Sequence, residues 1–507
     1  MNKGIFPEPN VLRDIVQDLD VQEFSGDWKT PISGLITDSR RVVPGSVFFA
    51  IPGLRTNGEL FVEEAISRGA AAIVTTVPPS RHTQVAWIRV GDVRKALAAA
   101  ARNFYNHPER KLQVAGVTGT NGKTTVTTLL HYLLQHGGER WGLIGTVRYE
   151  LGERSLPSHK TTPEAPDIYS MMTHMVAARC PGLAMEVSSH AIAQYRVDGM
   201  AFKVLAFTNL SRDHIDYHAS MEEYFEVKTR PFLGLCGPLP EVAVLNVDDP
   251  AGRRLSALLP AQVRQITFGE SPEAHLRATG AQLHPGGSTF NLVRDGSAAG
   301  TVHTTLPGRY NVSNILCALA IASALGRDTG ALLPAISAFP GVPGRMERVA
   351  TELPCQIFVD YAHTDDALKN ALGMLRPITP GRLLVVFGCG GNRDRGKRPA
   401  MTAVVQSLAD CAWATADNPR KELQQTIFED MRGGVTKPES ITFVEDRRHA
   451  ISLALDAMRT GDTLLIAGKG HEAYQEFADV TVPFDDRQVT RELLALKQYR
   501  VAARPPA

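Results

Sequence analysis

Short apolar runs separated by glycine, proline and polar residues recur along most of the chain. In residues 1–110, apolar runs at 47–51 and 71–74 lie between turns rich in glycine and proline. This pattern predicts the strands and helices of a small N-terminal α/β domain. The Asn-His-Pro sequence at 106–108 is its predicted end, because proline disfavours helical backbone in the residue before it.

From residue 112 onward the pattern changes to strand, glycine-rich turn and helix. The predicted elements are a strand at 112–117, a helix at 124–134, and strands at 204–207 and 242–245. Strands that alternate with helices predict a central domain, residues 111–343, built on a mostly parallel sheet. The Pro-Gly-Val-Pro-Gly segment at 340–344 is the predicted boundary to a third domain, residues 344–507.

Four polar clusters distinguish this third domain. Each follows directly on a short apolar run, so each lies at the carboxyl end of a predicted strand. The runs are at 357–359, 383–387, 411–415 and 464–467, and the clusters are at 360–363, 388–393, 417–420 and 468–472. Ordinary turns explain one or two such clusters, whereas ligands of open α/β sheets bind at the carboxyl ends of strands. The pattern therefore predicts an α/β domain that carries a ligand site.

The composition excludes several classes of partner. The chain has 507 residues, with 54 basic and 53 acidic side chains. Because these charges nearly cancel, neither nucleic acid nor an anionic membrane is expected as a partner. There is no signal-peptide core and no run of about 18 apolar residues, so no membrane insertion is expected. The six cysteines form no CxxC pair, which favours buried reduced thiols. We expect a soluble cytoplasmic protein.

A glycine-rich loop between a predicted strand and a predicted helix, at 116–125, has the features of a phosphate site. Glycines let backbone N–H groups approach phosphate, and a helix N-terminus favours anions. Lys123 is placed to reach the β- and γ-phosphates, and the Thr124 hydroxyl to bind Mg²⁺. The chain departs from the P-loop template at Val117, where the template has glycine. A P-loop switch protein is the alternative class, but the chain has no guanine-reading N-K-x-D sequence.

The Gly-Thr-Asn-Gly-Lys-Thr sequence at 119–124 resembles the ATP loop of the Mur ligases and of their folylpolyglutamate synthetase relatives. Further motifs similar to those of the family follow in order along nearly the whole chain, at 161–163, 186–190, 208–210, 213–218, 246–249, 308–314, 360–363 and 468–472. The resemblance implies an ATP-dependent, amide-bond-forming ligase of peptidoglycan synthesis that acts as a monomer. It also implies three α/β domains: a small N-terminal domain, a central P-loop-type ATPase domain and a C-terminal Rossmann-like domain.

The reaction implied by the resemblance passes through an acyl phosphate, which forms when a carboxylate attacks the γ-phosphorus of ATP. Because both groups are anionic, cations must bridge them. The implied Mg²⁺ ligands are Thr124, Glu186, His214 and Lys228, and the implied catalytic residues are Lys123, His214 and Lys228. Lys228 matches a position that is carbamylated in the family, and a carbamate binds Mg²⁺ where an ammonium group repels it. From the residues alone, Lys228 would be a solvated lysine on a helix.

The resemblance also implies the contacts to the two larger substrates. The implied ATP contacts are Gly119, Thr120, Asn121, Gly122, Lys123, Thr124, Thr125, Asn314, Arg345 and Asp360. The implied contacts to the UDP-N-acetylmuramoyl-dipeptide are Thr37, Ser39, Arg55, Thr161, Thr162, Ser188, Gln194 and Arg196. From the residues alone, Ser39 would be a turn hydroxyl. Lys160 stands where the family more often has Asn or His, so its role is left open.

The Asp-Asn-Pro-Arg sequence at 417–420 resembles the pattern of family members that add meso-diaminopimelate. The implied contacts to this amino acid are Arg393, Asp417, Asn418, Pro419, Arg420, Gly468 and Glu472. A guanidinium group binds a carboxylate bidentately, and lysine has no carboxylate on its distal carbon. Lysine is therefore expected to leave Arg420 unpaired.

Two alternatives within the enzymes stay open at this point. One is a sibling ligase that adds L-lysine, and the other is a folylpolyglutamate synthetase-like ligase. The uridine-site resemblance of the N-terminal segment disfavours the second. The sequence does not identify the base that deprotonates the incoming amine, and His363 is only a candidate for it.

Overall fold

The computed structural model describes residues 10–53, 56–78, 85–214 and 217–502 of the chain. The chain divides into two compact units, the first of Met1–Arg277 with Asn314–Leu332 and the second of Ala278–Ser313 with Leu333–Ala507. The domain boundaries near residues 110 and 343 stay predictions.

The N-terminal part of the first unit contains a five-stranded sheet. In spatial order its strands are Val21–Ser25, Ala86–Val90, Ala72–Thr75, Ser46–Phe49 and Gly34–Ile36, all parallel except the first. A separate antiparallel pair joins Asn10–Val11 and Pro31–Ile32. The helices of this part are Leu12–Ile15, Val62–Ser67 and Val93–Phe104, with 3₁₀ turns at Ser39–Arg41, Gly58–Phe61 and Pro108–Lys111.

The helix Val93–Phe104 is buried on two faces, which explains why this part belongs to a larger unit. Leu97 and Ala100 pack into the core of the five-stranded sheet. Ala98 and Ala101 pack into the core of the central sheet that follows in the chain. Small alanine side chains allow the backbone of this helix to approach both cores closely.

The central sheet of the first unit is mostly parallel. Its strands, in spatial order, are Ser155–Pro157, Arg148–Glu150, Gly142–Ile144, Gly182–Glu186, Gln113–Thr118, Val204–Phe207, Val242–Asn246, Arg264–Gly269 and the start of Leu276–His284. Neighbours are parallel from Gly142–Ile144 onward. The helices around it are Lys123–Gln135, Ala165–Ala177, Ser189–Ala193, Met221–Thr229 and Pro250–Leu258, with a 3₁₀ turn at Arg230–Leu233. The predicted strands and helix of this region are confirmed to within one residue at each end.

The second unit is built on a six-stranded sheet. Its strands, in spatial order, are Glu347–Arg348, Gln356–Asp360, Thr463–Ala467, Leu383–Cys389, Cys411–Ala416 and Ile441–Phe443, all parallel except the first. The helices are Asp365–Leu375, Lys397–Leu408, Gln424–Arg432, Arg447–Ala457 and Asp486–Ala502, with 3₁₀ turns at Arg376–Ile378 and Pro438–Ser440. The four strands predicted here are confirmed, and so is the α/β class of the fold.

The remaining elements are two hairpins and two helices. The hairpins pair Gly287–Arg294 with Ser297–Thr304, and Tyr474–Phe477 with Val480–Pro483. The helices are Arg309–Ala324 and Thr329–Ala338. All six cysteines are free and five are buried, which confirms the expectation of reduced thiols. Within the described residues, no helix is long and apolar enough to cross a membrane.

Candidate functional site

The loop predicted to bind phosphate connects a buried strand to the N-terminus of a helix, and two glycines shape it. Gly119 and Gly122 have φ angles of 139° and 88°. A Cβ atom at Gly119 would lie 2.0 Å from Thr208 Oγ1, and one at Gly122 would lie 2.3 Å from Asn314 Oδ1. Only glycine fits at both positions. The same close approach brings Asn314, one of the expected ATP contacts, against the loop.

Lys123 begins the helix, and its ammonium group points back into the loop. Nζ donates to the carbonyl oxygens of Gly119 at 2.8 Å and Thr120 at 2.7 Å. The loop is also held from the next strand, where Asn209 Oδ1 accepts from the N–H of Asn121 at 2.9 Å. A cation held inside a braced loop at a helix N-terminus suits an anion such as phosphate.

Glu186 ends its strand beside this loop and is only 1% exposed. Its Oε2 accepts from the hydroxyls of Thr124 at 3.0 Å and Thr146 at 3.1 Å, and its Oε1 accepts from the N–H of Thr146 at 2.7 Å. In the part of the chain that the structure describes, no lysine or arginine pairs with this carboxylate. Because a buried charge is costly without a counter-charge, the position suits a bound divalent cation.

Several expected substrate contacts surround Glu186. The Thr146 and Thr161 hydroxyls lie 3.0 Å apart. The Thr162 hydroxyl donates to the carbonyl oxygen of Glu186 at 2.8 Å and accepts from the N–H of Ser188 at 3.1 Å. The structure therefore brings Thr161, Thr162 and Ser188 to the same end of the central sheet as the phosphate loop.

Lys228 lies near the end of the helix Met221–Thr229 and is 1% exposed. Its Nζ donates to the Gly119 carbonyl at 2.8 Å and lies 4.6 Å from the centre of the Tyr224 ring. Burial, and then the nearby Lys123 ammonium group, hold the pKa of Lys228 well below its usual range. A solvated helix lysine is therefore the wrong interpretation. A neutral amine is the form that reacts with carbon dioxide to give a carbamate.

His214 lies before this helix, with a φ of 55°. Its ring centre is 4.8 Å from that of His190, and its Nε2 is 3.5 Å from a carboxylate oxygen of Asp213. Among the described residues, no three or more His, Cys, Asp or Glu side chains form a group that could hold a metal ion. The part of His214 as a metal ligand and catalytic residue stays a prediction.

Arg196 is a mostly buried arginine at the centre of a second network. It donates to the Thr162 carbonyl at 2.8 Å and to Gln194 Oε1 at 2.6 Å, and it lies 3.0 Å from the Glu164 carboxylate. Gln194 donates in turn to the hydroxyl of Tyr217 at 3.1 Å. Burial lowers the pKa of Arg196, and the Glu164 carboxylate opposes this shift. Three expected contacts to the dipeptide substrate thus share one hydrogen-bonded cluster.

Of the three expected uridine contacts, the structure describes Thr37 and Ser39. Ser39 is buried, and its hydroxyl donates to the Glu64 carboxylate at 2.6 Å. This bond is the largest cause that lowers the pKa of Glu64. Thr37 is exposed on the preceding turn, and Arg55 lies outside the described residues. The role of all three in substrate binding stays a prediction.

In the second unit, Asp360 and Arg345 lie close together. Asp360 accepts from the N–H groups of Met346 at 2.7 Å and Ala362 at 2.9 Å. Burial raises the pKa of Asp360, and the Arg345 guanidinium group opposes this shift. The Cζ of Arg345 lies 4.8 Å from the centre of the Tyr361 ring. Two expected ATP contacts are therefore neighbours at the end of one strand.

His363, the candidate base, follows in the same cluster. Its Nδ1 is 2.7 Å from the Tyr361 carbonyl oxygen, so this geometry assigns the proton to Nδ1 and the lone pair to Nε2. Desolvation, and then the Lys397 ammonium group, lower the pKa of His363. This shift favours the neutral imidazole, in which Nε2 is the accepting nitrogen, and the role of His363 as a base stays a prediction.

The expected amino-acid contacts lie in the loops that follow three strands side by side in the sheet, Thr463–Ala467, Leu383–Cys389 and Cys411–Ala416. Asn418 Nδ2 donates to Glu472 Oε2 at 3.0 Å. Arg420 donates through Nη1 to the Gly391 carbonyl at 2.9 Å, and its Nε lies 2.7 Å from the Glu476 carboxylate. The expectation that lysine leaves Arg420 unpaired is wrong, because Glu476 pairs with Arg420 within the protein.

Lys469 lies beneath this group and is fully buried. Its Nζ is 3.1 Å from Asn418 Oδ1, 3.3 Å from Glu472 Oε2 and 3.7 Å from Asp417 Oδ1. Gly468 has a φ of 117°, and a Cβ there would lie 2.8 Å from Asp417 Oδ2, so only glycine fits. Arg393 is exposed nearby, and the Pro419 carbonyl packs against Gly391.

Sequence reasoning missed three residues of these clusters: Thr146, Lys469 and Glu476. Thr146 follows a short apolar strand and a glycine, which is a weak signal for a strand-end site. Lys469 follows a long buried run and lies between two glycines, which signals a lysine held close to backbone. Glu476 lies on a two-sided hairpin strand, and nothing in its local sequence distinguishes it from a solvated glutamate.

Comparison with protein families gives three matches along the chain. Residues 31–105 match the Mur ligase family catalytic domain, residues 117–322 the Mur ligase middle domain, and residues 344–470 the Mur ligase glutamate ligase domain.

Similar proteins span almost the full length of this chain. A UDP-N-acetylmuramoyl-L-alanyl-D-glutamate–2,6-diaminopimelate ligase from Solibacter usitatus is 42% identical over 92% of this chain and 94% of its own. The protein of the same name from Thermosynechococcus vestitus is 43% identical over 91% and 93%. A solved structure of a ligase with this name has a TM-score of 0.69 and 31% identity, and covers 97% of this chain and 100% of its own. A folylpolyglutamate synthase from Mycobacterium tuberculosis, with a TM-score of 0.60, 17% identity and coverage of 82% and 96%, shares the fold alone.

Proposed function

The chain belongs to the Mur ligase family of ATP-dependent ligases, and we propose that it joins meso-diaminopimelate to UDP-N-acetylmuramoyl-L-alanyl-D-glutamate in peptidoglycan synthesis. The observation that carries the choice of amino acid is the cluster of Asn418, Arg420 and Glu472. It offers amide and guanidinium donors for a carboxylate and a carboxylate for an ammonium group. The distal carbon of diaminopimelate bears both of these groups, whereas that of lysine bears only the ammonium group.

The first chemical step in this proposal is phosphorylation of the substrate. An oxygen of the D-glutamate γ-carboxylate bonds to the γ-phosphorus of ATP while the bond to the β,γ-bridging oxygen breaks, which gives an acyl phosphate and ADP. Backbone N–H groups of the 119–122 loop and the helix N-terminus would hold the phosphates. Lys123 would exchange its bonds to the Gly119 and Thr120 carbonyls for bonds to phosphate oxygens.

The family implies Mg²⁺ at this site, and the residues present fit it. Glu186 is a buried carboxylate without a lysine or arginine partner among the described residues, and the Thr124 hydroxyl lies 3.0 Å from it. These two side chains would hold the ion, with His214 and the carbamate of Lys228 as further ligands. When bound, Mg²⁺ neutralises the charge that develops on the phosphate oxygens. Thr146 orients Glu186 through its N–H and hydroxyl.

The carbamate proposal follows from the state of Lys228. Its neutral nitrogen attacks carbon dioxide, a C–N bond forms, and one proton is released, so a buried amine becomes a buried anion. The cations that would offset this anion are Lys123 and the bound Mg²⁺. The lowered pKa of Lys228 supports the reaction, because a protonated amine has no lone pair to attack.

The second step is amide formation. The amine of diaminopimelate attacks the acyl carbon, phosphate leaves, and the amine loses a proton. His363 is a candidate to accept that proton through Nε2, since its Nδ1 is engaged by the Tyr361 carbonyl. Thr161, Thr162, Ser188, Gln194 and Arg196 are proposed to position the dipeptide part of the other substrate, and Thr37, Ser39 and Arg55 its uridine part.

We propose the cytoplasm as the compartment and a monomer as the active form. Six free cysteines suit a reducing compartment, and ATP is available there. The alternative of an L-lysine-adding ligase differs only in the amino acid, so it is tested directly. A folylpolyglutamate ligase is disfavoured, because the first 110 residues resemble a uridine-binding domain and match a Mur ligase family model over 31–105.

The test measures phosphate release from ATP with the UDP-dipeptide and one amino acid at a time. We expect release with meso-diaminopimelate and at least about a hundredfold lower kcat/KM with L-lysine, which corresponds to about 2.7 kcal/mol. Arg420→Ala should raise the KM for diaminopimelate about 30-fold, since truncating one partner of such a pair costs roughly 2 kcal/mol where the pair is partly exposed. Equal use of lysine by the wild type would overturn the choice of amino acid and leave only the family.

A further inference from the structure

Lys469 has no assigned part in the reaction, yet it is the most deeply buried cation of the amino-acid cluster. Its side chain has no exposed surface, while those of Asp417 and Glu472 are 9% and 17% exposed. An ammonium group has three donors. Two of them reach Asn418 Oδ1 at 3.1 Å and Glu472 Oε2 at 3.3 Å, and Asp417 lies 3.7 Å from Nζ as an ion-pair partner. Because the side chain is also fully buried, Lys469 is not placed to contact a substrate.

Lys469 is one of two donors that fix which way the Asn418 amide faces. Asn418 Oδ1 accepts from Lys469 Nζ at 3.1 Å and from the N–H of Glu476 at 3.1 Å. Both partners are donors only, so the oxygen must lie on this side. Asn418 Nδ2 therefore turns the other way, where it donates one hydrogen to Glu472 at 3.0 Å and keeps the other for a ligand.

Lys469 also changes the charge that Glu472 presents. One oxygen of the Glu472 carboxylate, Oε2, is shared by Lys469 and Asn418. With Lys469 beside it, Glu472 attracts a bare ammonium group less strongly than an unpaired carboxylate would. Binding of a ligand that has both an ammonium and a carboxylate group is weakened less than binding of one that has only an ammonium group. The reason is that its carboxylate accepts a hydrogen bond from Asn418 Nδ2.

We propose that Lys469 is a specificity-determining positioning residue, which orients Asn418 toward a substrate carboxylate and partly neutralises Glu472 against a substrate that has only an ammonium group. This rests on the proposed function, in which Asn418 and Glu472 contact the distal carbon of the incoming amino acid. Both effects favour diaminopimelate over lysine, so selection follows from a residue that touches neither substrate.

The test measures kcat/KM for meso-diaminopimelate and L-lysine in Lys469→Met and Lys469→Gln, with ATP and the UDP-dipeptide saturating. We expect the diaminopimelate-to-lysine ratio to fall about tenfold or more in Lys469→Met, mainly through the KM for diaminopimelate, while the KM for ATP stays constant. Lys469→Gln keeps a neutral donor for Asn418, so its ratio should lie between those of Lys469→Met and the wild type. If Lys469→Met does not fold, the ratio of Lys469→Gln alone tests whether Lys469 sets the selectivity.

The matched control is Lys421→Met, one residue after Arg420. The Lys421 side chain is 71% exposed and pairs with the exposed Asp479, so the diaminopimelate-to-lysine ratio of Lys421→Met should equal that of the wild type. Equal losses for both amino acids in the Lys469 variants would show a merely structural role and overturn the inference. Arg420→Ala distinguishes a failure of this inference from a failure of the proposed function. If it narrows the ratio while both Lys469 variants keep it, only this inference fails, whereas a wild type without selectivity contradicts the proposed function itself.

Discussion

Replacing Lys228 with methionine tests the most unusual side chain of the first unit, a lysine that is 1% exposed. Methionine has nearly the same length and fills nearly the same space, but it has no amine to carbamylate. We expect kcat to fall at least about a hundredfold, or about 2.7 kcal/mol in activation free energy, because the site would lose the proposed carbamate beside the proposed Mg²⁺. Lys203→Met, at a partly exposed lysine paired with Glu241, is the matched control and should keep full activity.

The effect of this change on stability should be small. It removes one hydrogen bond, worth about 1 kcal/mol net. The Gly119 carbonyl that loses this bond still accepts from Lys123 at 2.8 Å. Burying a thioether in place of a desolvated amine offsets the loss. The free energy of unfolding at pH 10.5 should therefore stay within about 1 kcal/mol of the wild type, and the Tm within about 4 °C.

The pH dependence of that difference carries the sharper test. Folding lowers the pKa of Lys228 from 10.5, so the folded state binds fewer protons than the unfolded state. The contribution of Lys228 to the free energy of unfolding of the wild type is therefore largest above about pH 10.5. It is lost as the pH falls toward the pKa of the folded state. The stability of Lys228→Met relative to the wild type should thus improve between pH 10.5 and pH 8, measured by urea denaturation in buffer free of carbon dioxide. A constant difference across this range would contradict the lowered pKa of Lys228, and an active variant would contradict the proposed carbamate.

Three other changes test separate parts of the first unit. Lys123→Ala should abolish phosphate release from ATP and lower the Tm by only a few degrees, because its bonds go to two loop carbonyls; near-normal turnover would show that this loop does not bind the reacting phosphates. Thr146→Val removes one of the two hydroxyl bonds to the Glu186 carboxylate and keeps the N–H bond, so kcat should fall about tenfold at unchanged Tm; unaltered kcat would exclude an orienting role. Burial lowers the pKa of His131 from 6.5 to about 4, so its contribution to stability is full above pH 6.5 and up to about 3 kcal/mol is lost as the pH falls to 4. His131→Gln should flatten the unfolding free energy over that range in urea denaturation, and a curve parallel to the wild type would contradict this assignment.

Local patterns in the sequence determined the elements of the fold and the positions of the candidate ligand loops. Apolar runs of strand length followed by polar clusters predicted the four parallel strands of the second unit, because a buried parallel strand needs no alternation. The strand, glycine-rich turn and helix around Lys123 predicted the candidate phosphate loop, since all three elements are read from one continuous stretch of sequence. The motif order predicted the family, which the comparisons confirm.

Tertiary structure alone decided the state of each important side chain. The bond from Lys228 to Gly119 joins residues 109 apart in the chain, and the burial of Lys228 is what lowers the pKa of its amine. In the same way, Glu476 pairs with Arg420 from a hairpin strand, and no local sequence pattern predicts that these two residues meet. Charge state and pairing depend on desolvation and on atoms brought together by folding, whereas the sequence pattern reports only periodicity and residue type.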